Sequence, residues 1–386
     1  MLGKPFVVVG ALVCSTWVTS APVLGQESNA TAELLREADA AKLEPVVKTG
    51  IEFLESSQAE DGTFSIKAGP GITALAITGA LRCGEPLDSP MVAKGLAALE
   101  TFIKPDGGIY GSGRLKNYET CICIICFVEA NKNGKYNKVL ADAKRFVTGT
   151  QYGNAGDSTT DDIWNGGIGY GEKGRPDLSN TAFMIEALIA LETAPDDPAI
   201  QAALEFVSRC QNLESKHNTT EFASKIGDGS FYYMIPKEKV DPSEDPERFT
   251  PDGGIIGYGT MTYAGYKSMI YAGLKEDDPR VVSASKWIAE NYTLDLNPRM
   301  GSAGLFYYYQ TFSTALDAAA LDRVTDSDGN KHAWRKELLD ALAKRQNSDG
   351  SWSNTNSRWF ENDKNLCTSF ALLALANCTP AAKASQ

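Results

Sequence analysis

The sequence predicts an all-α protein, an α/α toroid in which six helical hairpins form two concentric rings. Three observations lead there. A short unit recurs along the chain, a glycine-rich turn follows it, and two kinds of helix alternate. Repetition of this sort marks architectures in which neighbouring units bury each other's apolar faces.

The unit is clearest at the two ends of the chain. "GIEFLESSQAEDGTF" (50–64) spaces Gln58, Gly62 and Phe64, and "ALAKRQNSDGSW" (341–352) repeats the spacing as Gln346, Gly350 and Trp352. "AKRFVTGTQ" (143–151) and "ALEFVSRCQ" (203–211) set an apolar pair before Gln151 and Gln211. In "AALETFIKPDGGI" (97–109) Ile103 takes the glutamine's place, and in "ASKWIAENY" (284–292) Tyr292 does. The turns include "PDGGIYGSG" (105–113), "WNGGIGYGEKG" (164–174), "PDGGIIGYG" (251–259) and "GSAGLFYYY" (301–309), with glycine supplying the positive φ that tight reversals require.

The helices are of two kinds. "YNKVLADAKRFVTG" (136–149), "DDPRVVSASKWIAEN" (277–291) and "AWRKELLDALAKRQ" (333–346) mix apolar and charged residues at helical period, so one face of each meets water. The segments 71–83, 118–131, 178–191, 260–273, 304–320 and 364–377 are apolar almost all round and require burial on nearly every side. Six of each kind give an outer and an inner ring. A straight solenoid is the competing arrangement, but it has no inner ring to bury.

Around this core the chain divides into a signal peptide (1–25), a leader with a short helix (26–41), the toroid (42–380) and a tail (381–386). Lys4 is a short positive start, "FVVVGALV" (6–13) is too short to span a bilayer, and Val23 and Gly25 suit a cleavage site. A lipoprotein anchored at Cys14 is the alternative, set back by bulky Val13. The expectation is export to the periplasm or the medium, with no transmembrane helix. A long polar insertion at about 212–250 carries an extra turn, "GDGSFYYM" (227–234), and its Phe231-Tyr232-Tyr233 suits a lid or rim.

Composition excludes some functions. The chain is 43% apolar and 22% charged, enough for a large core, and its net charge of −12 argues against nucleic acid or an anionic membrane surface. Seven cysteines would remain after cleavage: Cys83, Cys121, Cys123, Cys126, Cys210, Cys367 and Cys378. In "ETCICIICF" (119–127) they sit in an apolar run without a nearby histidine and read as small hydrophobes rather than ligands. No metal and no cofactor is expected.

The Gln-x-x-x-Gly-x-aromatic unit resembles the repeat of squalene and oxidosqualene cyclases and of protein prenyltransferase β subunits, over roughly 45–380. The resemblance implies a central cavity lined from the starts of the inner helices. It aligns the cyclases' acid motif with Asp177, Ser179, Asn180, Thr181 and Ala182, where Ser179 and Asn180 replace the central carboxylates. "TTDD" (159–162) is a second near-match, placed in a loop. The prenyltransferase zinc set fails too: "YYYQTF" (307–312) carries Gln310 where that family has histidine, and "TYAGYKSM" (262–269) lacks the Asp-x-Cys pair. His217 and His332, the only histidines, fall in the insertion and on an outer helix.

The helix starts then supply the candidate site. Asp177, Glu119 and Lys267 are the candidate catalytic groups; Tyr118, Asn180, Tyr263, Tyr308, Gln310, Thr311 and Asn365 are candidate ligand-binding residues, with Thr120 and Thr368 alongside. Capping of helix N-termini is the competing role for Thr120, Ser179 and Asn180. Aromatic faces stabilise cations and a lysine can hold a phosphate or carboxylate, so the expected partner is an isoprenoid or other apolar small molecule with an anionic head. A divergent cyclase or transferase and a non-catalytic toroid for a ligand or protein partner both fit. A glycan-active toroid enzyme is a third reading, with Glu119, Asp177, Glu361 and Asp363 as its carboxylates.

Overall fold

The computed structural model describes residues 29–65, 69–153, 162–171, 174–238 and 240–378, with side chains from residue 39 onward. The signal-peptide segment, the tail and most of "TTDD" lie outside the described residues.

Twelve α-helices follow one another: α1 (Asn29–Ser57), α2 (Pro70–Arg82), α3 (Pro90–Glu100), α4 (Lys116–Ala130), α5 (Asn137–Gly149), α6 (Leu178–Ala190), α7 (Pro198–Arg209), α8 (Gly259–Tyr271), α9 (Pro279–Glu290), α10 (Leu305–Ala318), α11 (Trp334–Arg345) and α12 (Lys364–Ala376). The even-numbered helices pack in the order α2, α4, α6, α8, α10, α12, and α12 returns to α2, closing the inner ring. Each is braced by an odd-numbered helix outside it: α3 on α2, α5 on α4, α7 on α6, α9 on α8, α11 on α10 and α1 on α12. The fold is therefore an all-α toroid of two concentric rings. The inner helices are the six apolar segments named above. A short antiparallel hairpin, β1 (Val324–Thr325) with β2 (Lys331–His332), precedes α11. His332 thus sits on a strand rather than an outer helix, between Asp326 and Glu337.

The repeat spacing has a direct physical cause. The Gln58 side-chain amide donates to the Gly62 carbonyl in its own turn and to the Met91 carbonyl of α3, both at 3.0 Å. Gln151 bridges Gly166 to Ala199 of α7, Gln211 bridges Gly229 to Arg280 of α9, and Gln346 bridges Gly350 to Val46 of α1. Each glutamine ties its turn to the next outer helix, and the last one ties the end of the ring to its beginning. The glycine is required for two reasons at Gly166: its φ is +85°, and a Cβ there would lie 1.8 Å from the Ala202 carbonyl oxygen.

A threonine completes the unit. The amides of Phe64, Ile109, Ile168, Phe231 and Trp352 donate to Thr73, Thr120, Thr181, Thr262 and Thr368 on the inner helices. The residue after each turn is thereby pinned to the ring. Outer helices begin with a capping side chain followed by proline, as at Ser89, Asp197 and Asp278.

The insertion reads differently in three dimensions. Gln211 reaches Gly229, and Phe231 donates to Thr262, so "GDGSF" is the fourth unit's own turn and the extra one is "PDGGI" (251–255), which closes a separate hairpin between Phe249 and Ile255. The long spacer between Gln211 and Gly229 hides this in the sequence. Phe231 and Tyr232 are fully buried, and only Tyr233 of the three keeps some exposure.

Candidate functional site at the axis

Helices α6 and α10 are not neighbours in the ring, since α8 lies between them, yet their side chains meet. The hydroxyls of Ser179 and Tyr307 are 2.8 Å apart, and the Phe183 and Tyr307 rings stack with centroids 5.8 Å apart and planes 12° from parallel. That contact crosses the axis. Tyr118 of α4 meets Phe183 edge-on at 5.5 Å, and Phe370 of α12 meets Tyr307 at 5.4 Å. Four inner helices thus bring aromatic rings together near their N-terminal ends.

Around this cluster stand Tyr170, Tyr233 and Tyr258. Tyr118, Tyr233, Tyr258 and Tyr307 each keep part of their surface accessible, while burial drives their phenol pKa values upward. The negative charge of Asp177 also raises Tyr170, Tyr233 and Tyr258, which places all three near it.

Asp177 caps α6. It is 1% exposed; its carboxylate accepts from the Asn180 backbone amide and from the Asn180 side-chain amide, each at 2.8 Å. Burial pushes the carboxyl up to about 6, and the hydrogen bonds from Asn180 offset only part of that. The Asn180 Oδ1 is buried without a hydrogen-bond partner among the described residues. Two further buried carboxylates occupy helix starts. Glu119 accepts from the Gly111 amide at 2.8 Å, and its Oε1 lies 2.1 Å from where a Cβ on Gly69 would stand. Glu361 accepts from the Tyr307 amide at 2.9 Å and from Asn354 at 2.7 Å. Burial raises both acids. The positive end of a helix dipole suits a carboxylate at these places.

The structure thus brings Asp177, Asn180, Glu119 and Tyr118 to one end of the axis, with Ser179, Phe183 and Tyr307, which a search for charged groups passes over. Others fall elsewhere. Tyr263 and Tyr308 are 1% and 0% exposed and pack with Phe312, which meets Trp334 of α11 and Tyr292; they belong to the core between the rings. Gln310 bonds Thr314, and Thr311 bonds the Tyr307 carbonyl, both within α10. Asn365 links Ser57 to Ser65 at the foot of α12.

Lys267 lies deeper in the ring. It is 3% exposed and paired with Glu186 of α6. Arg82 of α2 bonds Glu129 of α4 at 2.8 Å and also acts on Glu186 across the ring. Burial opposes ionisation of Glu186, but Lys267 and Arg82 outweigh it and hold the carboxyl below its usual range. The lysine charge is thus taken up inside the protein. His217 of the insertion pairs with Glu205 of α7. Among the described residues, no three His, Cys, Asp or Glu side chains converge as a metal set.

Fold and site together define an α/α toroid with an aromatic, carboxylate-bearing axial mouth. Among solved structures, a type II terpene cyclase from Scytonema in its apo form matches with a TM-score of 0.51 at 14% identity, over 88% of this chain and 98% of that one. An alpha-amylase from Clostridium perfringens matches with a TM-score of 0.51 at 14% identity, over 86% of this chain and 97% of that one. Likeness at this identity shows the shared toroid and no more. No known family model matches the chain, and no curated protein does.

Proposed function

We propose that the protein is an exported member of the squalene cyclase and prenyltransferase β repeat group that encloses an isoprenoid or comparable apolar chain at its axis. The observation that carries the reading is the meeting of Tyr118, Phe183, Tyr307 and Phe370 from four inner helices beside buried Asp177. Aromatic walls bury apolar chains well and stabilise positive charge that develops along them. The Gln-x-x-x-Gly-x-aromatic unit supports the assignment to that group, and residues 1–25 support export.

Alkene protonation of the cyclase kind does not suit this site. It calls for an acid stronger than an ordinary carboxyl, whereas Asp177 is shifted the other way, and Ser179 is engaged with Tyr307. A carboxyl near 6 suits general acid–base work close to neutral pH. In the catalytic form of the reading Asp177 holds or moves that proton; in the binding form it orients a polar ligand group, which the unpartnered Asn180 Oδ1 favours.

The test is a calorimetric titration of the full chain without its first 25 residues against farnesol, geranylgeraniol and maltoheptaose. The expected result is saturable binding of the isoprenols, weakened at least tenfold by Phe183→Ala with the helical circular dichroism retained. Binding of maltoheptaose alone would replace the isoprenoid reading with the glycan one.

A further inference from the structure

Far from the axial aromatic cluster, the C-terminal ends of α2 and α12 border a groove of about 640 Å³ whose other wall is α1. α1 packs on α12 and α11, so the groove lies where the first outer helix meets the two inner helices that close the ring. Its wall on α1 is one helical stripe. Ala40, Leu43 and Glu44 begin it, Val47 and Lys48 follow a turn on, then Ile51 and Glu52, and Glu55 ends it. Steps of three and four residues keep all of these on one face, over a length of about 22 Å.

Leu43, Val47 and Ile51 form an apolar row along the stripe, and Cys83 and Leu375 continue it on the facing wall. A row of this length matches about four helical turns, so its shape suits a helix laid alongside α1. The rim decides the sign of that helix. Exposed Glu44 and Glu55 and half-buried Glu85 make no ion pair among the described residues. Lys48 has only a 3.9 Å contact with Glu52, both of them exposed, and so adds little. Arg82 bonds Glu129 at 2.8 Å and acts on Glu186, so its charge is taken up inside the ring. Three unmatched carboxylates thus surround an apolar floor on a chain of net charge −12. A cationic partner relieves their repulsion; a second copy would bring the same carboxylates to face them.

We propose that this groove docks a basic amphipathic helix of a partner protein. The apolar face of that helix lies on Leu43, Val47 and Ile51, and its lysines or arginines meet Glu44, Glu55 and Glu85. The partner would bridge α1 to the end of α2 across the seam of the ring, at the opposite ends of the inner helices from Asp177 and Glu119. Binding there is independent of any ligand at the axis.

The test is fluorescence anisotropy of two labelled synthetic peptides, each about four helical turns of leucine and lysine. One places leucine along a single helical face; the other has the same composition in scrambled order. The amphipathic peptide is expected to bind saturably and at least tenfold tighter than the scrambled one, and more weakly as sodium chloride rises. Glu44→Lys combined with Glu55→Lys should weaken it at least tenfold, and Val47→Ser several-fold, with the helical circular dichroism retained. Asp196→Lys combined with Asp277→Lys, at exposed positions before α7 and α9, should leave its affinity within about twofold of the parent's. Absence of binding, equal affinity for the two peptides, or an equal loss in the Asp196 and Asp277 pair overturns the docking site. A dimer in sedimentation that Val47→Arg makes monomeric would give the groove to a second copy and overturn it as well.

Discussion

The two ends of the inner ring hold buried charge in opposite ways. At the N-terminal end Asp177, Glu119 and Glu361 are carboxylates held by amide donors, without a matched cation in the same hydrogen-bonded set. At the C-terminal end Glu186 and Glu129 are held by Lys267 and Arg82. The helix dipole accounts for the contrast: free amides at a helix start favour an anion, while an anion near a helix end needs a cation. The difference teaches which end is poised to respond to a ligand. Ion pairs neutralise charge at one end of the inner helices, and carboxyls raised by burial leave the other end sensitive to protons and to polar groups.

The largest effect should come from breaking the ion-paired end. Lys267→Met leaves Glu186 buried with a weakened cation partner, and removal of one member of a buried pair typically costs about 3–5 kcal/mol. Urea unfolding should show that loss, and Lys267→Met with Glu186→Met should recover most of it. A single variant as stable as the parent would dissolve the contrast between the ends.

Next is Gly69→Ala at the carboxylate end. Gly69 has φ +74° and touches Glu119, so the methyl forces backbone strain and displaces the carboxylate, at a cost of about 1–3 kcal/mol. Gly84→Ala, with φ +94° but nothing within 4 Å of its Cβ, should cost less in the same unfolding assay, which isolates the share due to Glu119.

Acid dependence gives a comparable figure. Asp177 sits at about 6 folded against 3.8 as an ordinary aspartate, so the folded state holds that proton more tightly. Its stabilising contribution is full below pH 4 and is lost as pH rises through 6, by roughly 3 kcal/mol for a shift of about two units. Asp177→Asn should remove that share of the slope between pH 4 and 6.5, and change stability by about 1 kcal/mol or less otherwise, because asparagine also caps helices. Parallel unfolding curves for the two proteins across this range would place Asp177 outside the buried mouth. The smallest effect is Ser179→Ala, about 1 kcal/mol for one hydrogen bond to Tyr307, read in the same assay.

The fold was legible because its signals are local. Gln58 and Gly62, or Gln346 and Gly350, stand four residues apart, and the apolar inner helices declare their burial without a partner in view. The partner of each glutamine on the next outer helix was not legible, nor was the displaced turn at Gly229. The site was harder still. Asp177 and Glu119 are visible as charges at helix starts, but Lys267 and Glu186 lie 81 residues apart and only the closed ring brings them together. Tyr307 and Tyr308 are adjacent in sequence, and helical rotation alone sends one to the axis and the other to the outer core. No composition or spacing distinguishes them; the ring's geometry does.

The most direct measurement of the central claim is a crystal structure of the protein soaked with geranylgeraniol. Continuous hydrocarbon density within van der Waals contact of Tyr118, Phe183, Tyr307 and Phe370 is the result expected. Clear density for the lipid elsewhere on the molecule, with the axial mouth holding only water and the ring intact, would contradict it.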